Sequence, residues 1–254
     1  MTDALSIGFG DLVCQLSEMC ETQGVSSCSR LVVGIAGPPG AGKSTLAANL
    51  VSQLRMSGRC PAEVLPMDGF HLANVELERL ALRDRKGSPD TFDAAGLAFL
   101  LRRIQTEEEA IVYAPTYSRT MHEPIAAAVA ITPDIKIVVL EGNYLLLSSP
   151  PWSRLRGGIA IPIFLNADWL TCRARLIQRH IAGRLTAEKA ETWVDNSDRT
   201  NFDLIVAESQ TATCYIVSEG RLVGPQRSDP FPSSKVRTGT GGDASSKFKC
   251  AHEG

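Results

Sequence analysis

The hydrophobic positions along the chain follow two periods, one typical of helices and one typical of buried strands. Apolar residues recur at helical spacing over residues 5–22 and over residues 43–54, so both segments are predicted to be helices. A third helix is predicted for the basic segment WLTCRARLIQRHIAGR, residues 169–184. Apolar runs instead predict buried strands. These runs are LVVGIAG, EVLPMDGFH, IVYAPTYSR, IKIVVLEGNYLLL, IAIPIFLNA, FDLIVAE and CYIVSEG, beginning at residues 31, 63, 111, 135, 159, 202 and 214.

The order of these elements predicts the fold class. Strands that alternate with helices are typical of an α/β domain with a mainly parallel sheet and helices on both faces. We expect a single domain over residues 1–223. The segment 224–254 is rich in Ser, Gly, Pro and Lys and poor in apolar residues. Such a segment buries too little surface to order itself, so a disordered tail is predicted.

Charge and cysteine content narrow the setting. A formal net charge of -2 gives no reason to expect a nucleic-acid or membrane partner. The chain shows no signal-peptide pattern and no apolar run long enough to span a bilayer, so a cytoplasmic protein is expected. Its seven cysteines are scattered, without a CxxC pair. We therefore expect free thiols in a reducing compartment.

A glycine-rich segment, GPPGAGKST, lies between a predicted strand and a predicted helix. It fits G-x-x-x-x-G-K-[ST], in which the loop backbone surrounds phosphates, the lysine neutralises them and the hydroxyl reaches Mg²⁺. ATP and Mg²⁺ are therefore the expected cofactors. The predicted nucleotide-binding residues here are Gly37, Pro38, Pro39, Gly40, Ala41, Gly42, Lys43, Ser44 and Thr45. The Asn-Lys-x-Asp motif that recognises guanine is absent from the sequence, so a GTPase is not favoured. Both a kinase and an ATP-driven machine remain as interpretations.

Two carboxylates stand at the ends of apolar strands. Asp68, in PMDGFH, is expected at the sheet edge where ligands bind, and it can accept the proton of an attacking hydroxyl. An Asx turn before Gly69 is the alternative. Glu141 ends another strand and, with Ser44, is the expected magnesium site. A strand-end acid that is satisfied by backbone amides is the alternative there.

Five blocks in order resemble a known superfamily. The phosphate loop, MDGFH, RKGSPDTFD, YAPTYSR and LEGNYLL together look like the phosphoribulokinase, uridine kinase and bacterial pantothenate kinase superfamily, over about residues 31–207. The strongest likeness is to its uridine-kinase-like branch, often labelled nucleoside kinase or fructose transport system kinase. The resemblance implies a P-loop NTPase three-layer sandwich with a helical lid at about 172–192. It also implies ATP-dependent phosphorylation of a hydroxyl group on a small molecule. Because relatives are often oligomers, a homodimer is a further expectation.

The resemblance also assigns acceptor-side residues. Asp68 matches the catalytic carboxylate of the family, and Lys86 and Arg119 match positions that line the acceptor pocket. Further acceptor-side candidates are His71, Tyr117, Asn143 and Tyr144. His71 alone fits a structural role better than a chemical one, and Tyr144 fits a core role equally well.

The basic helix provides the lid in this resemblance. Arg175 and Arg179 lie four residues apart and share one helix face. Arg179, with Lys43, is the expected catalytic cation, and Arg175 and Arg184 are expected to bind ATP. A solvated basic face paired with acids is the alternative. Asp198 and Asn201 match an Asp-x-x-Asn segment near the nucleotide base in relatives; a capping turn before a strand is the alternative.

Departures from the family pattern bear on the acceptor. Ser118 stands where many relatives of this branch carry Asp, and Gln178 stands where uridine kinases usually carry Arg. YAPTYS looks like the pantothenate kinase version, but those enzymes carry further ordered chain after the core. A sugar or a nucleoside is therefore the favoured acceptor. A pantothenate kinase-like enzyme and a non-catalytic ATP-binding regulatory protein remain as alternatives.

Overall fold

The computed structural model describes residues 5–22, 30–56, 58, 60–106, 110–209, 215–218 and 221–224. Its strands are β1 (Leu5–Gly8), β2 (Leu31–Ala36), β3 (Ala62–Pro66), β4 (Val112–Ser118), β5 (Glu123–Ile131), β6 (Ile137–Gly142), β7 (Ile161–Leu165), β8 (Tyr215–Ser218) and β9 (Arg221–Gly224). Its α-helices are α1 (Phe9–Thr22), α2 (Lys43–Met56), α3 (Asn74–Arg79), α4 (Ala94–Thr106), α5 (Trp169–Ala182), α6 (Ala187–Trp193) and α7 (Arg199–Glu208). A π-helical turn, Val194–Asp198, joins α6 to α7.

Most strands form one sheet. Within the described ranges, the sheet has seven strands in the order β1-β9-β8-β7-β2-β6-β3, and β4 and β5 form a separate hairpin. The strands from β8 to β3 are parallel, β9 is antiparallel to β8, and β1 is antiparallel to β9. The predicted mainly parallel sheet is therefore confirmed.

Helices cover both faces of the main sheet and give three layers. Because successive side chains of a strand point to opposite faces, Val32 and Val33 of β2 enter different cores. Val33 packs in the cluster that contains Leu50 of α2, together with apolar residues of α1. Val32 packs in the cluster that contains Leu97 of α4 and Ile205 of α7. The predicted three-layer sandwich is confirmed.

The strand register brings three segments of the chain to the same edge of the sheet. Ala36 at the end of β2 pairs with Gly142 of β6, and Pro66 at the end of β3 pairs with Glu141. The loop after β2, the end of β6 and the turn after β3 therefore lie side by side. This edge is the place where ligands bind in open parallel sheets.

Two predictions about local structure are wrong, and strand β5 was missed. FDLIVAE, predicted to be a strand, lies in α7, because a short apolar run fits a helix as well as a strand. The predicted helix over residues 5–22 begins only at Phe9; Leu5–Gly8 is a strand, in keeping with the alternation of Leu5 and Ile7. The Ala-rich strand β5 was not predicted, because alanine has low strand propensity.

The cysteines also depart from expectation. Cys20 of α1 and Cys60, which precedes β3, form a disulfide, with their Cα atoms 5.9 Å apart. Forty residues of chain separate them, so spacing alone could not identify the pair. Cys14 and Cys172 are free, as expected. Residues 225–254, which make up all but the first residue of the predicted tail, lie outside the described residues. Within the part that the structure describes, no helix is long and apolar enough to cross a bilayer.

Candidate functional site

The loop between β2 and α2 is packed tightly against α5. Gly40 has a φ of +81°, which favours glycine, and a Cβ atom at this position would lie 2.8 Å from the carbonyl oxygen of Cys172. Arg175 of α5 donates hydrogen bonds to the carbonyl oxygens of Gly40, at 3.2 Å, and Ala41, at 3.5 Å. Lys43, the first residue of α2, donates to the carbonyl oxygen of Pro38 at 2.9 Å. The loop therefore has the tight, glycine-dependent shape of a phosphate cradle.

Lys43 and Ser44 at the start of α2 lie close to Glu141 at the end of β6. Burial lowers the pKa of Lys43 from 10.5 to about 8, although the nearby carboxylates Glu141 and Asp68 oppose the shift. Burial raises the pKa of Glu141, and the Lys43 ammonium opposes that rise. The Ser44 hydroxyl donates to Oε1 of Glu141 at 3.1 Å. A hydroxyl and a carboxylate side by side are oxygen ligands of the kind that Mg²⁺ prefers, so these residues fit a magnesium site.

Asp68 lies in a one-turn 3₁₀ helix, Met67–Phe70, that follows β3 directly. This turn touches the hairpin: a Cβ atom on Gly69 would lie 2.4 Å from the carbonyl oxygen of Pro115 in β4. The carbonyl oxygen of Asp68 accepts a hydrogen bond from the backbone N–H of His71 at 3.2 Å, and Nδ1 of His71 lies 2.8 Å from it. The main chain of Asp68 is therefore held while its carboxylate lines the cavity described below.

An aromatic group stands beside Asp68. The ring of His71 lies 3.9 Å from the ring of Phe92 and 4.7 Å from that of Tyr117, centroid to centroid. Burial lowers the pKa of His71, which favours its neutral form. Burial also raises the pKa of Tyr117 to about 12, and the negative charge of Asp68 adds to this rise. These rings form one wall of the cavity.

Lys86 is held in place above this wall. Its ammonium donates to Oδ1 of Asn74 at 2.6 Å and to the carbonyl oxygen of His122 at 2.7 Å. It also lies 5.1 Å from the centre of the Tyr117 ring, a cation–π contact. The contacts join the loop after α3 to the turn of the β4–β5 hairpin.

The predicted lid segment includes most of α5 and α6. Asp168 caps α5 by accepting from the N–H of Thr171 at 2.8 Å. His180 lies 2.8 Å, Nε2 to Oδ2, from Asp198 in the π-helical turn, which ties α5 to the segment before α7. Arg173 pairs with Asp195 at 2.6 Å, so the predicted alternative of a basic face paired with acids describes Arg173.

One cavity of about 720 Å³ collects most of the predicted site residues. Those that line it are Pro39, Gly40, Gly42, Lys43, Ser44, Thr45, Asp68, His71, Lys86, Tyr117, Arg119, Glu141, Asn143, Arg179 and Asn201. Those that do not are Gly37, Pro38, Ala41, Tyr144, Arg175 and Arg184. Asn201 also donates weakly to the carbonyl oxygen of Gly87, at 3.4 Å.

Tyr144 belongs to the core instead of the cavity wall. Its side chain is fully buried, and its ring packs against Phe92 and Trp152, with centroids 5.6 Å and 5.2 Å away. Its hydroxyl donates to the carbonyl oxygen of Gly87, which does line the cavity. Tyr144 therefore supports the wall from behind.

Several lining residues were not predicted. They are Arg83, Gly87, Phe92, His122, Gly142, His180, Gly183, Leu185, Trp193 and Ser197. Asp198, which was predicted with Asn201, also lines the cavity. Arg83 could have been predicted from the sequence, since it lies three residues before Lys86 in the same basic segment. No sequence pattern could have predicted His122, because it reaches the cavity through the turn before β5, a strand that was not predicted.

Comparisons with known proteins agree with this geometry. The model of the Phosphoribulokinase / Uridine kinase family matches residues 32–220. The uncharacterized protein YggC of Escherichia coli K12 is 36% identical over 209 residues, which cover 81% of this chain and 86% of YggC. A Schizosaccharomyces pombe protein, named provisionally as a uridine kinase, is 34% identical over 194 residues, 74% of this chain and 82% of its own. The crystal structure of a Silicibacter protein, named provisionally as a fructose transport system kinase, is 35% identical, with a TM-score of 0.68 and coverage of 76% and 95%.

Proposed function

Since this chain belongs to the phosphoribulokinase and uridine kinase family, we propose that it is a kinase that uses ATP and Mg²⁺ to phosphorylate a hydroxyl group of a sugar or a nucleoside. One observation carries the proposal. Lys43, the Ser44–Glu141 pair and the carboxylate of Asp68 line a single cavity, although they come from the start of α2, the end of β6 and the turn after β3. A nucleotide site and a candidate base therefore share one space.

The nucleotide half of the site has three parts. The loop from Gly37 to Thr45 surrounds the phosphates, and Lys43 neutralises their charge. Ser44 and Glu141, which are hydrogen-bonded to each other at 3.1 Å, would hold the magnesium ion. When bound, ATP supplies the phosphoryl group and Mg²⁺ supplies positive charge that stabilises it during transfer. The protein's task on this side is to position and neutralise.

The acceptor half depends on Asp68. Its carboxylate orients the acceptor hydroxyl and takes its proton as the oxygen attacks phosphorus. Arg179 of α5 lines the same cavity and stabilises negative charge on the transferring group. The contacts of His71 with the carbonyl oxygen of Asp68 hold the main chain that carries this carboxylate, which limits the reorganisation needed.

The test measures ADP release from ATP and Mg²⁺ with uridine, cytidine, ribose, fructose, other pentoses, sugar acids, pantothenate, glycerate or no acceptor. We expect strong stimulation by a sugar or a nucleoside compound. Asp68→Asn should reduce turnover by a factor of about 10² to 10⁴ and leave ATP binding in place. The matched control is Asp84→Asn, since Asp84 is exposed and lies outside the cavity wall.

Two results would contradict the proposal. Equal ADP release in every well, with or without an acceptor, would indicate an ATPase. Wild-type turnover by the Asp68→Asn variant would show that Asp68 is not the base.

A further inference from the structure

Cations outnumber carboxylates around the cavity. The charged side chains that line it are Lys43, Arg83, Lys86, Arg119 and Arg179 on the positive side and Asp68, Glu141 and Asp198 on the negative side. Lys43 and Arg179 serve the phosphates in the proposed function. Arg83, Lys86 and Arg119, here called the cationic cluster, lie instead around Tyr117 on the Asp68 side of the site.

Contacts place the cationic cluster together. Arg83 and Lys86 both donate to Oδ1 of Asn74, so the side chains converge on one amide oxygen. Lys86 lies over the ring of Tyr117, and the charges of Arg83 and Arg119 both act on the Tyr117 hydroxyl. The cluster therefore surrounds the position beside the proposed base.

The carboxylates near this cluster are already engaged. Glu123 uses both of its oxygens to accept the backbone N–H of Asn74, at 3.1 Å and 3.2 Å. Glu78 reaches Arg83 only at 3.8 Å, in an exposed pair. Within the described residues, neither Lys86 nor Arg119 forms an ion pair with a carboxylate. In this part of the chain, neither Lys86 nor Arg119 therefore has a carboxylate in direct contact, although the charge of Glu123 acts on Lys86 from nearby.

This arrangement suits an anion better than a neutral molecule. Like charges close together in a cleft raise its potential and attract negatively charged ligands. Lys86 is already held by Asn74 and His122, so its immobilisation costs little when a ligand binds. A neutral polyol would leave Lys86 and Arg119 without an anion in direct contact.

We infer that the acceptor carries, besides its hydroxyl, an anionic group that Lys86 and Arg119 bind with Arg83 beside them; the inference rests on the kinase function proposed above. The shared chemistry is a carboxylate or a phosphate on a sugar-like molecule. Within the proposed class of sugar and nucleoside acceptors, the inference favours sugar acids and sugar phosphates over neutral nucleosides.

Matched compounds test this inference. The carboxylate arm pairs glycerate with glycerol and gluconate with glucose, and the phosphate arm pairs fructose 6-phosphate with fructose and ribose 5-phosphate with ribose. Each compound is added to the full chain with Mg²⁺ and a non-hydrolysable ATP analogue, and the shift in melting temperature is measured as a readout of binding. ADP release with ATP is measured in parallel. We expect at least one anionic member to shift the melting temperature and to stimulate release, and its neutral partner to do neither.

Two variants separate recognition from a structural role. Lys86→Gln should raise the KM of the anionic acceptor about tenfold or more, because a charge-assisted hydrogen bond is lost. Arg85→Gln is the matched control: Arg85 is the adjacent residue, pairs with Asp90 at 3.0 Å and does not line the cavity. It should leave that KM within about twofold of the wild type. A Lys86→Gln protein that loses anionic and neutral acceptors to the same extent would overturn the inference.

The outcomes also separate the inference from the proposed function. Stimulation by neutral members as strong as by anionic ones would overturn the inference and leave the kinase in place. Anions that shift the melting temperature in the wild type but not in Lys86→Gln, without ADP release anywhere, would support anion binding and contradict the kinase. No shift and no release with any anion would overturn the inference.

Discussion

Replacement of Gly69 by alanine should push the Asp68 turn away from the hairpin. The added Cβ atom would lie 2.4 Å from the carbonyl oxygen of Pro115, 2.6 Å from its carbonyl carbon and 2.9 Å from the N atom of Thr116. All three atoms are backbone, so no flexible side chain can give way. Overpacking of this kind costs about 1–3 kcal/mol. For a chain of this size, that corresponds to a fall in melting temperature of about 2–12 °C.

The same shift should cost activity. The turn carries the proposed base, and β4 carries Tyr117, so their separation misplaces one wall of the cavity relative to the other. A displacement of about 1 Å can reduce turnover about 10²-fold. We expect this loss in kcat, with ATP affinity unchanged, because the phosphate loop follows a different strand, β2, and the atoms nearest to the added Cβ belong to β4.

Thermal unfolding, nucleotide titration and steady-state turnover together check this prediction. Gly157→Ala is the control, since a Cβ atom there meets nothing within 4 Å. It should change stability by less than about 0.5 kcal/mol. A Gly69→Ala protein with the stability and turnover of the Gly157→Ala control would refute the reasoning.

Three further predictions follow from other contacts. ATP affinity should fall as pH rises through about 8, because Lys43 is charged below that pKa and neutral above it. In nucleotide titrations from about pH 6.5 to 9.5, the Lys43→Arg variant should lack this pH dependence. Tyr144→Phe should lower the free energy of unfolding in urea by about 1 kcal/mol, since the buried hydroxyl no longer donates to Gly87. Arg173→Ala should lower it by less than about 1 kcal/mol, because the pair with Asp195 is partly exposed. An unfolding measurement that gives Arg173 the larger effect would contradict both stability estimates.

Local patterns were enough to predict that the phosphate loop and Glu141 come together at one edge of the sheet. The glycine spacing of residues 37–45, between a predicted strand and a predicted helix, predicts a phosphate loop, and Glu141 follows the apolar run IVVL, which forms a core strand as predicted. The chain order of strands and helices then predicted a parallel sheet. These predictions succeeded because each one depends on residues that are close together in the sequence.

Predictions that required distant contacts were less successful. α7 was mistaken for a strand because its burial depends on Phe202 and Ile205, three residues apart, packing against separate clusters. His122 reaches the cavity through a hairpin whose second strand carries no clear period. The Cys20–Cys60 bond joins α1 to the segment before β3, and no spacing rule selects it among seven cysteines. In each case, the tertiary structure determined what the local pattern left open.

The division of the site between two sheets has a consequence for how such a protein can evolve. The phosphate loop and Glu141 belong to the main sheet, whereas Tyr117, Arg119 and His122 belong to the hairpin of residues 112–131. In the proposed kinase, substitutions in the hairpin would alter part of the acceptor side without altering the strands that hold the nucleotide. A lineage could in this way change its acceptor and keep its phosphate donor. An engineer could graft the hairpin of a relative together with the segment that carries Lys86, provided that the Gly69–Pro115 contact is kept.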